Sequence, residues 1–297
     1  MLRPVVVGLD GSSESLAAAD WAAREALRRG LPLRLVHAWP GGMMPAGSGL
    51  PELDAPRHRA QRILRDAMDR LDERYPQVCQ SADQISRPAA EALVAAGDES
   101  ELLVLGSRAF SGLGGFLADS VALRAVARVS RPVVLVRADR TIEDEHVPDE
   151  DGHPSALTSY RDVVVGLDPT SPCEALLAFA FESATLRAAP LRVVHAWQLP
   201  YMPSALEAKA GKAVLGSAER ALVAVLVPWK EKYPAVEVRE SVEEGRPAQL
   251  LLQETRDAGL LAVGRRIRSR TLGAHTGPIA HAVMHHARCP VAIVPHV

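Results

Sequence analysis

An internal repeat with one constant offset is the feature that most limits what this chain can fold into. Five segments of the first half return 158 residues later in the second half. The first-half segments read VVVGLD, LRLVHAW, RYPQV, LLVLGSR and RPVVLVR, and they return as VVVGLD, LRVVHAW, KYPAV, LLAVGRR and CPVAIVP. A chain of 297 residues is long enough for two domains of ordinary size. Because there are only two copies and each is domain-sized, the repeat predicts two domains of one fold and not a solenoid.

The repeat also sets the expected domain boundaries. We predict a first domain at residues 1–138, an acidic linker at 139–159 and a second domain at 160–297. Between Asp139 and His153, seven acidic residues stand against one arginine. Such a composition buries little apolar surface, so we expect this segment to be an exposed linker.

Each copy alternates short apolar runs with amphipathic segments. In the first copy, Pro4–Leu9 and Leu33–Ala38 predict strands. The segment between them predicts a helix that Ser13 caps and Gly30 ends. Strands this apolar, separated by helices, indicate a parallel sheet covered on both faces. With right-handed crossovers, the predicted fold is α/β: two Rossmann-like doubly wound domains, each with a five-stranded parallel sheet and helices on both faces.

The composition of the chain argues against several classes of function. The formal net charge is −2, which gives no general attraction to nucleic acid or to an anionic membrane. The three cysteines are too scattered for a disulfide framework, and no two stand at metal-ligand spacing. The sequence contains no apolar stretch long enough to span a membrane, and the apolar run near its start is too short for us to expect a signal peptide. We therefore expect a cytoplasmic protein that binds neither nucleic acid nor membrane.

A glycine-rich segment after the predicted fourth strand connects the chain to a known family. GSRAFSGLGGFLADSV, from Gly106 to Val121, resembles the phosphate loop of the universal stress proteins. The VVVGLD starts, the VHAW second strands and the HARCPVAIV ending (His286–Val294) resemble the same family. The likeness is to tandem-domain bacterial members of actinobacterial type. It covers both halves except the acidic linker and the long loops.

This resemblance implies a stress-response regulator that binds adenine nucleotide (ATP), with Mg²⁺, and acts through nucleotide-dependent conformation or partner binding. It implies at most weak ATP hydrolysis, and no acid, base or nucleophile constellation in the sequence indicates an enzyme of the related adenine nucleotide alpha hydrolase superfamily. Family domains pair through their last strands, here Pro132–Arg137 and Pro290–Val294. We therefore expect intramolecular pairing of the two domains, a possible further homodimer and an unidentified protein partner.

The resemblance also assigns the binding positions. Aspartates after the first strands would contact phosphate or Mg²⁺, alanines at the ends of the second strands would receive the adenine, and the glycine loops would hold phosphate. Arginines near the second loop would assist, because guanidinium groups bind phosphate well. The predicted cofactor-binding residues are Asp10, Ala38, Gly106, Ala109, Ser120, Asp168, Ala196, Gly264, Arg265, Arg266 and Gly277.

Both loops depart from the family's pattern of glycines followed by a serine or threonine. In the first copy, Ala109 and Asp119 stand at glycine positions. A carboxylate about 4 Å from a phosphate charge costs about 4 kcal/mol at an effective dielectric constant of about 20. In the second copy, Ile267 replaces a glycine, and Pro278 removes both a hydroxyl and an N–H donor. These departures leave an alternative function open, that of a degenerate stress or interaction protein that binds no nucleotide.

Other polar residues have simpler interpretations. An aspartate at a strand-to-helix turn often only caps the turn, so this alternative remains open for Asp10 and Asp168. His37 and His195 recur inside apolar strands, and we interpret them as hydrogen-bonded structural histidines. His281 and His285 stand at a spacing that can hold a metal. Because no carboxylate accompanies them locally, we interpret them, with His286, as surface histidines and predict no metal site.

Overall fold

The structure is a computed structural model that describes residues 2–39, 51–107, 121–199, 204–267 and 276–296. The described residues form two compact units, and the chain passes from the first to the second between Arg140 and Thr141. None of the described helices is both long and apolar enough to cross a membrane.

The first unit contains a parallel sheet in its described residues. Its strand order is β3-β2-β1-β4-β5, and every pairing is parallel. The elements in chain order are β1 (Val5–Gly8), α1 (Ser13–Arg29), β2 (Leu33–Trp39), α2 (Pro51–Arg74), β3 (Gln80–Ser86), α3 (Ala89–Asp98), β4 (Leu102–Ser107), α4 (Val121–Arg128) and β5 (Val133–Arg137).

The second unit repeats this plan. Its described strands follow the order β8-β7-β6-β9-β10, again with parallel pairings. After a short 3-10 helix at Glu143–Glu145, the elements are β6 (Asp162–Gly166), α5 (Glu174–Arg187), β7 (Leu191–Trp197), α6 (Ser204–Lys232), β8 (Val238–Glu244), α7 (Pro247–Glu254), β9 (Ala258–Arg266), α8 (Pro278–His286) and β10 (Val291–His296). The predicted α/β fold is confirmed in both units.

Helices cover both faces of each sheet. Leu105 and Gly106 are successive residues of β4, so their side-chain directions point to opposite faces. Leu105 lies beside Gly8 together with Leu93 of α3, whereas Gly106 lies against the first turn of α1. α1 and α3 therefore pack on opposite faces. The central strands are covered on both sides, and Val5, Val6 and Val7 of β1 are fully buried.

The caps of α1 differ from the sequence expectation at one end. The N-cap is Ser12 and not Ser13, and the Ser12 side chain accepts a hydrogen bond from the Ser15 amide at 3.2 Å. At the other end Gly30 adopts the left-handed conformation, with φ 62°, as predicted. Adjacent serines offer the same side chain one residue apart, so sequence alone did not distinguish them.

The expectation that residues 139–153 form an exposed linker is wrong for part of this segment. Glu145 and His146 are only 2% and 5% exposed. The Glu145 carbonyl accepts from the Arg161 amide at 2.9 Å, the His146 carbonyl accepts from Arg161 Nε at 2.8 Å, and the His146 ring lies 4.0 Å from that of Tyr160. Composition missed this because the segment is held partly by backbone hydrogen bonds, which do not depend on apolar side chains. Residues 151–153 are exposed, as expected.

The ends of α1 and α5 provide a matched test of backbone strain. Gly30 and Ala188 are equivalent in the repeat, and both close their helix with the cap amide bonded to two carbonyls of the last turn. Ala188 has φ 47°, a conformation that costs an alanine about 1 kcal/mol more than a glycine. We expect Ala188→Gly to raise the free energy of unfolding by about 1 kcal/mol, and Gly30→Ala to lower it by about as much. Urea denaturation of the full chain measures both, and destabilisation by Ala188→Gly would contradict this account.

Candidate functional site

The carboxyl edge of each sheet has a point where the strand order reverses. This point lies between β1 and β4 in the first unit and between β6 and β9 in the second. Ligands of open α/β sheets bind in the crevice at such a point. The predicted residues of the second unit fall at this edge, because Asp168 follows β6 and Gly264 lies near the end of β9.

The turn after β1 is closed by its own side chains. Asp10 Oδ1 accepts from the Ser12 amide at 2.9 Å and from Ser12 Oγ at 2.5 Å. Ser12 in turn caps α1 through the Ser15 amide. The turn-capping role considered for Asp10 is therefore present in the structure, and a ligand contact by Asp10 stays a prediction.

The equivalent turn after β6 holds Asp168 in a similar way. Asp168 Oδ1 accepts from the Thr170 amide at 3.0 Å and from Thr170 Oγ1 at 2.7 Å, and Oδ2 accepts from Ser171 Oγ at 3.1 Å. Partial burial raises the pKa of Asp168, but the hydrogen bonds from Thr170 and Ser171, together with the charge of His195, outweigh burial and lower it. Asp168 is therefore an anion at neutral pH.

The last residue of β9, Arg266, reaches this turn. Arg266 is exposed, and its Nη2 donates to Ser171 Oγ at 3.0 Å. Since Ser171 also donates to Asp168, the contact joins the end of β9 to the turn after β6. A guanidinium, two hydroxyls and a carboxylate thus converge just before α5.

The two predicted arginines, Arg265 and Arg266, face different ways. β9 continues through Arg266, so Arg265 and Arg266 point to opposite sides of the sheet. Arg265 is only 6% exposed and pairs in register with Pro295 of β10. The structure therefore brings Arg266, but not Arg265, to the turn that holds Asp168.

The glycines at the ends of β4 and β9 are required for different reasons. A Cβ on Gly106 would lie 2.5 Å from the carbonyl carbon of Glu14 and 2.7 Å from the Ser15 amide nitrogen, both in the backbone of α1. A Cβ on Gly264 would instead lie 2.8 Å from Nε2 of His296, a side chain of β10. The His296 carbonyl also accepts from the Ile267 amide at 2.7 Å, which anchors the start of the second loop.

The remaining positions of the second loop are only partly described. Gly277 has φ 78°, and α8 begins immediately after it with Pro278. Ile267 is 43% exposed. The predicted loop residues Ala109 and Ser120 of the first copy, with Asp119, lie outside the described residues.

The second strands end later than predicted. β2 and β7 continue to Trp39 and Trp197, so Ala38 and Ala196 lie inside the ladders, opposite Ile85 and Glu243. Both alanines are half-buried, and their contact with an adenine edge stays a prediction.

The histidines of the second strands have the structural role expected from the sequence. His37 Nδ1 lies 2.7 Å from the Leu9 carbonyl oxygen, and His195 Nδ1 lies 2.9 Å from that of Leu167. Because a carbonyl only accepts, Nδ1 carries the proton in each ring.

Sequence reasoning missed the two hydroxyl residues before α5 and the histidine of β10. A signal existed for Thr170 and Ser171, because hydroxyl residues stand two and three positions after the aspartate in both copies. No such signal existed for His296, whose counterpart in the first copy is Ala138.

Comparison with known proteins identifies relatives over almost the whole chain. A family model described as "Universal stress protein family" matches residues 1–137 and 159–295. Universal stress protein Rv2005c of Mycobacterium tuberculosis is 33% identical, with 97% of this chain and 96% of that protein covered. A universal stress protein of Mycolicibacterium smegmatis is 30% identical, with 98% and 96% covered. The crystal structure of a universal stress protein from Archaeoglobus fulgidus shares the fold, with a TM-score of 0.64 at 13% identity and 98% of each chain covered.

The two strand-end glycines lead to a prediction about stability. Gly106→Ala should lower the free energy of unfolding by about 3 kcal/mol, because the clash is with helix backbone. Gly264→Ala should cost about 1 kcal/mol, because a side chain moves more easily than a helix.

A double-mutant cycle in urea denaturation tests the cause at Gly264. The effect of Gly264→Ala should largely vanish in a His296→Ala background, since the clashing ring is then absent. An equal effect in both backgrounds would exclude His296 as the constraint.

Proposed function

Because both halves of this chain belong to the universal stress protein family, we propose that the protein is a stress-response regulator controlled by an adenine nucleotide. The ligand is ATP or another adenylate, bound at the carboxyl edge of the sheet. Its binding shifts a conformational equilibrium or the affinity for a partner protein. The second unit is the site that the described residues favour.

The observation that carries this proposal is the contact between Arg266 and Ser171. It places a positive charge immediately before the N-terminus of α5. The N-cap of α5 is Cys173, which makes no side-chain cap hydrogen bond. The amide groups of the first turn are therefore not satisfied by a cap, and such a helix terminus attracts phosphate. In α1, by contrast, Ser12 already uses the Ser15 amide.

Because Asp168 is an anion, a phosphate bound beside it would need a cation between the two groups. An anionic carboxylate beside a phosphate is repulsive unless a metal ion stands between them. Carboxylate and hydroxyl oxygens are the ligands that Mg²⁺ prefers. Asp168 with Thr170 or Ser171 is therefore the donor set that would hold Mg²⁺ against the nucleotide, and the cation would screen the two negative charges from one another.

The histidine near this edge is held by the strand before Asp168. His195 is the histidine close to Asp168, and its Nδ1 proton is donated to the Leu167 carbonyl. This bond fixes the orientation and the tautomer of the ring. The proposed activity is nucleotide binding, with slow hydrolysis of ATP at most. Pairing of the two domains through β5 and β10, a homodimer and a cytoplasmic location are parts of the same proposal.

A second candidate function is favoured by the packing at the strand ends. Gly106 is required by the backbone of α1 and Gly264 by His296, so neither glycine needs a phosphate to account for it. Asp10 and Asp168 likewise close their own turns. In this alternative the protein binds no nucleotide, and partner proteins recognise its surface.

Titration of the nucleotide-free full chain with ATP and Mg²⁺ separates the two functions. Any nucleotide that copurifies should first be released and identified. Arg266→Gln should then weaken ATP binding about tenfold to a hundredfold, the value of one hydrogen bond to a charged group.

Arg256→Gln is the matched control. Arg256 is also exposed, but it lies two residues before the start of β9 and hence at the opposite edge of the sheet. Its replacement should leave ATP affinity unchanged. If wild type and Arg266→Gln bind ATP with equal affinity, the proposed nucleotide site in the second unit is wrong. The absence of any binding at millimolar ATP would favour the interaction protein.

A further inference from the structure

Helix α8 carries two histidines whose rings meet on one side. His281 and His285 are one turn apart, and residues at this spacing are neighbours on a helix surface. Their ring centroids are 4.5 Å apart, with the planes inclined at 54°. From the sequence we interpret them as surface histidines, and the structure adds that their two rings lie side by side.

The separation of the rings falls in the range expected for two imidazoles around one metal ion. With a metal–nitrogen distance of about 2.1 Å, the ring centroid lies about 3.2 Å from the ion. Two rings bound at a nitrogen–metal–nitrogen angle of about 90° to 110° then have centroids about 4.5 to 5.3 Å apart. We propose that His281 and His285 form a two-imidazole site for a divalent cation of the zinc, nickel or copper type.

The ligand chemistry selects this class of cation. Imidazole nitrogen suits Zn²⁺, Ni²⁺ and Cu²⁺, whereas Mg²⁺ and Ca²⁺ require oxygen. Among the residues that the structure describes, no carboxylate, thiol or third imidazole lies close enough to form a three-ligand cluster with this pair. His281 is exposed and His285 half-buried, so water reaches the pair and fills the remaining coordination positions. The site is thus open and distinct from the Asp168 turn.

The third histidine of the helix, His286, lies in a different direction around the helix axis. His286 follows His285 directly, and one residue corresponds to about 100° of rotation around the helix. Its ring lies 6.4 Å from that of His285, compared with 4.5 Å for His281. His286 therefore shares the helix and the residue type of the pair but not its geometry, which makes it the matched control.

Metal binding at this pair would also stabilise α8. The helix has nine residues and begins at Pro278, so it lies in the length range where an isolated helix is marginal. A cation held by side chains one turn apart binds the helical conformation and not the extended chain. Binding is therefore coupled to helix order, which gives a readout besides affinity.

The test is a calorimetric titration of the full-length, metal-stripped chain with Zn²⁺ alone. Wild type and His286→Ala should bind Zn²⁺ with the same affinity. His281→Ala and His285→Ala should each weaken that binding about tenfold or more, because a single imidazole is no chelate. Mg²⁺ in place of Zn²⁺ should give no heat from this site.

The decisive variant is His281→Ala. Its side chain is exposed and alanine favours the helix, so circular dichroism should confirm that the fold is unchanged. Electron paramagnetic resonance of the Cu²⁺-loaded chain adds an independent count, with two equatorial nitrogens expected in wild type and one in the variant. The proposal fails if His281→Ala binds Zn²⁺ as wild type does, if His286→Ala loses affinity equally, or if wild type binds no Zn²⁺.

Discussion

The close approach of the first helix to the end of the fourth strand is the constraint on which the rest of each unit depends. A parallel sheet with right-handed crossovers brings the N-terminus of α1 over the carboxyl end of β4. The approach at Gly106 leaves no space for a side chain, since a Cβ would lie 2.5 Å from helix backbone. The strand end, the turn after β1 and the helix N-terminus are therefore positioned together. In the second unit the equivalent space near Gly264 is taken by His296, so the same topology has two local solutions.

The helix termini of the two units also differ in their chemistry. Ser12 satisfies an amide of α1 from within the turn. At α5 the N-cap is Cys173, and the nearby hydroxyl of Ser171 bonds to Asp168 and Arg266 instead. The first arrangement stabilises its own helix, whereas the second leaves amide donors beside a guanidinium. One fold thus supports a capped helix N-terminus in one unit and an N-terminus without a side-chain cap, beside a guanidinium, in the other, which is why the proposal places the ligand in the second unit.

Helices and strands that show a clear spacing of apolar residues could be predicted from the sequence. Features that depend on the exact position of one residue, such as a helix cap or the direction of a side chain, could not. The C-terminal end of α1 at Gly30 and the apolar central strands follow directly from local pattern and from the repeat. Whether Ser12 or Ser13 caps α1, and whether Arg265 or Arg266 faces the turn, depends on where an element ends by one residue. Composition also misplaced Glu145 and His146, because their burial involves backbone bonds to Arg161 that no composition records.

Comparison of the two copies within one chain separates residues that the fold needs from residues that need another explanation. His37 and His195 occur in both copies and make the same bond to a carbonyl of the first strand, so the fold accounts for both. The positions equivalent to His281 and His285 in the first copy are Leu123 and Ala127. A helix at this place in the fold therefore does not require histidine at either position. Because the two rings meet on one side of α8, the metal site proposed for them would belong to the second copy alone.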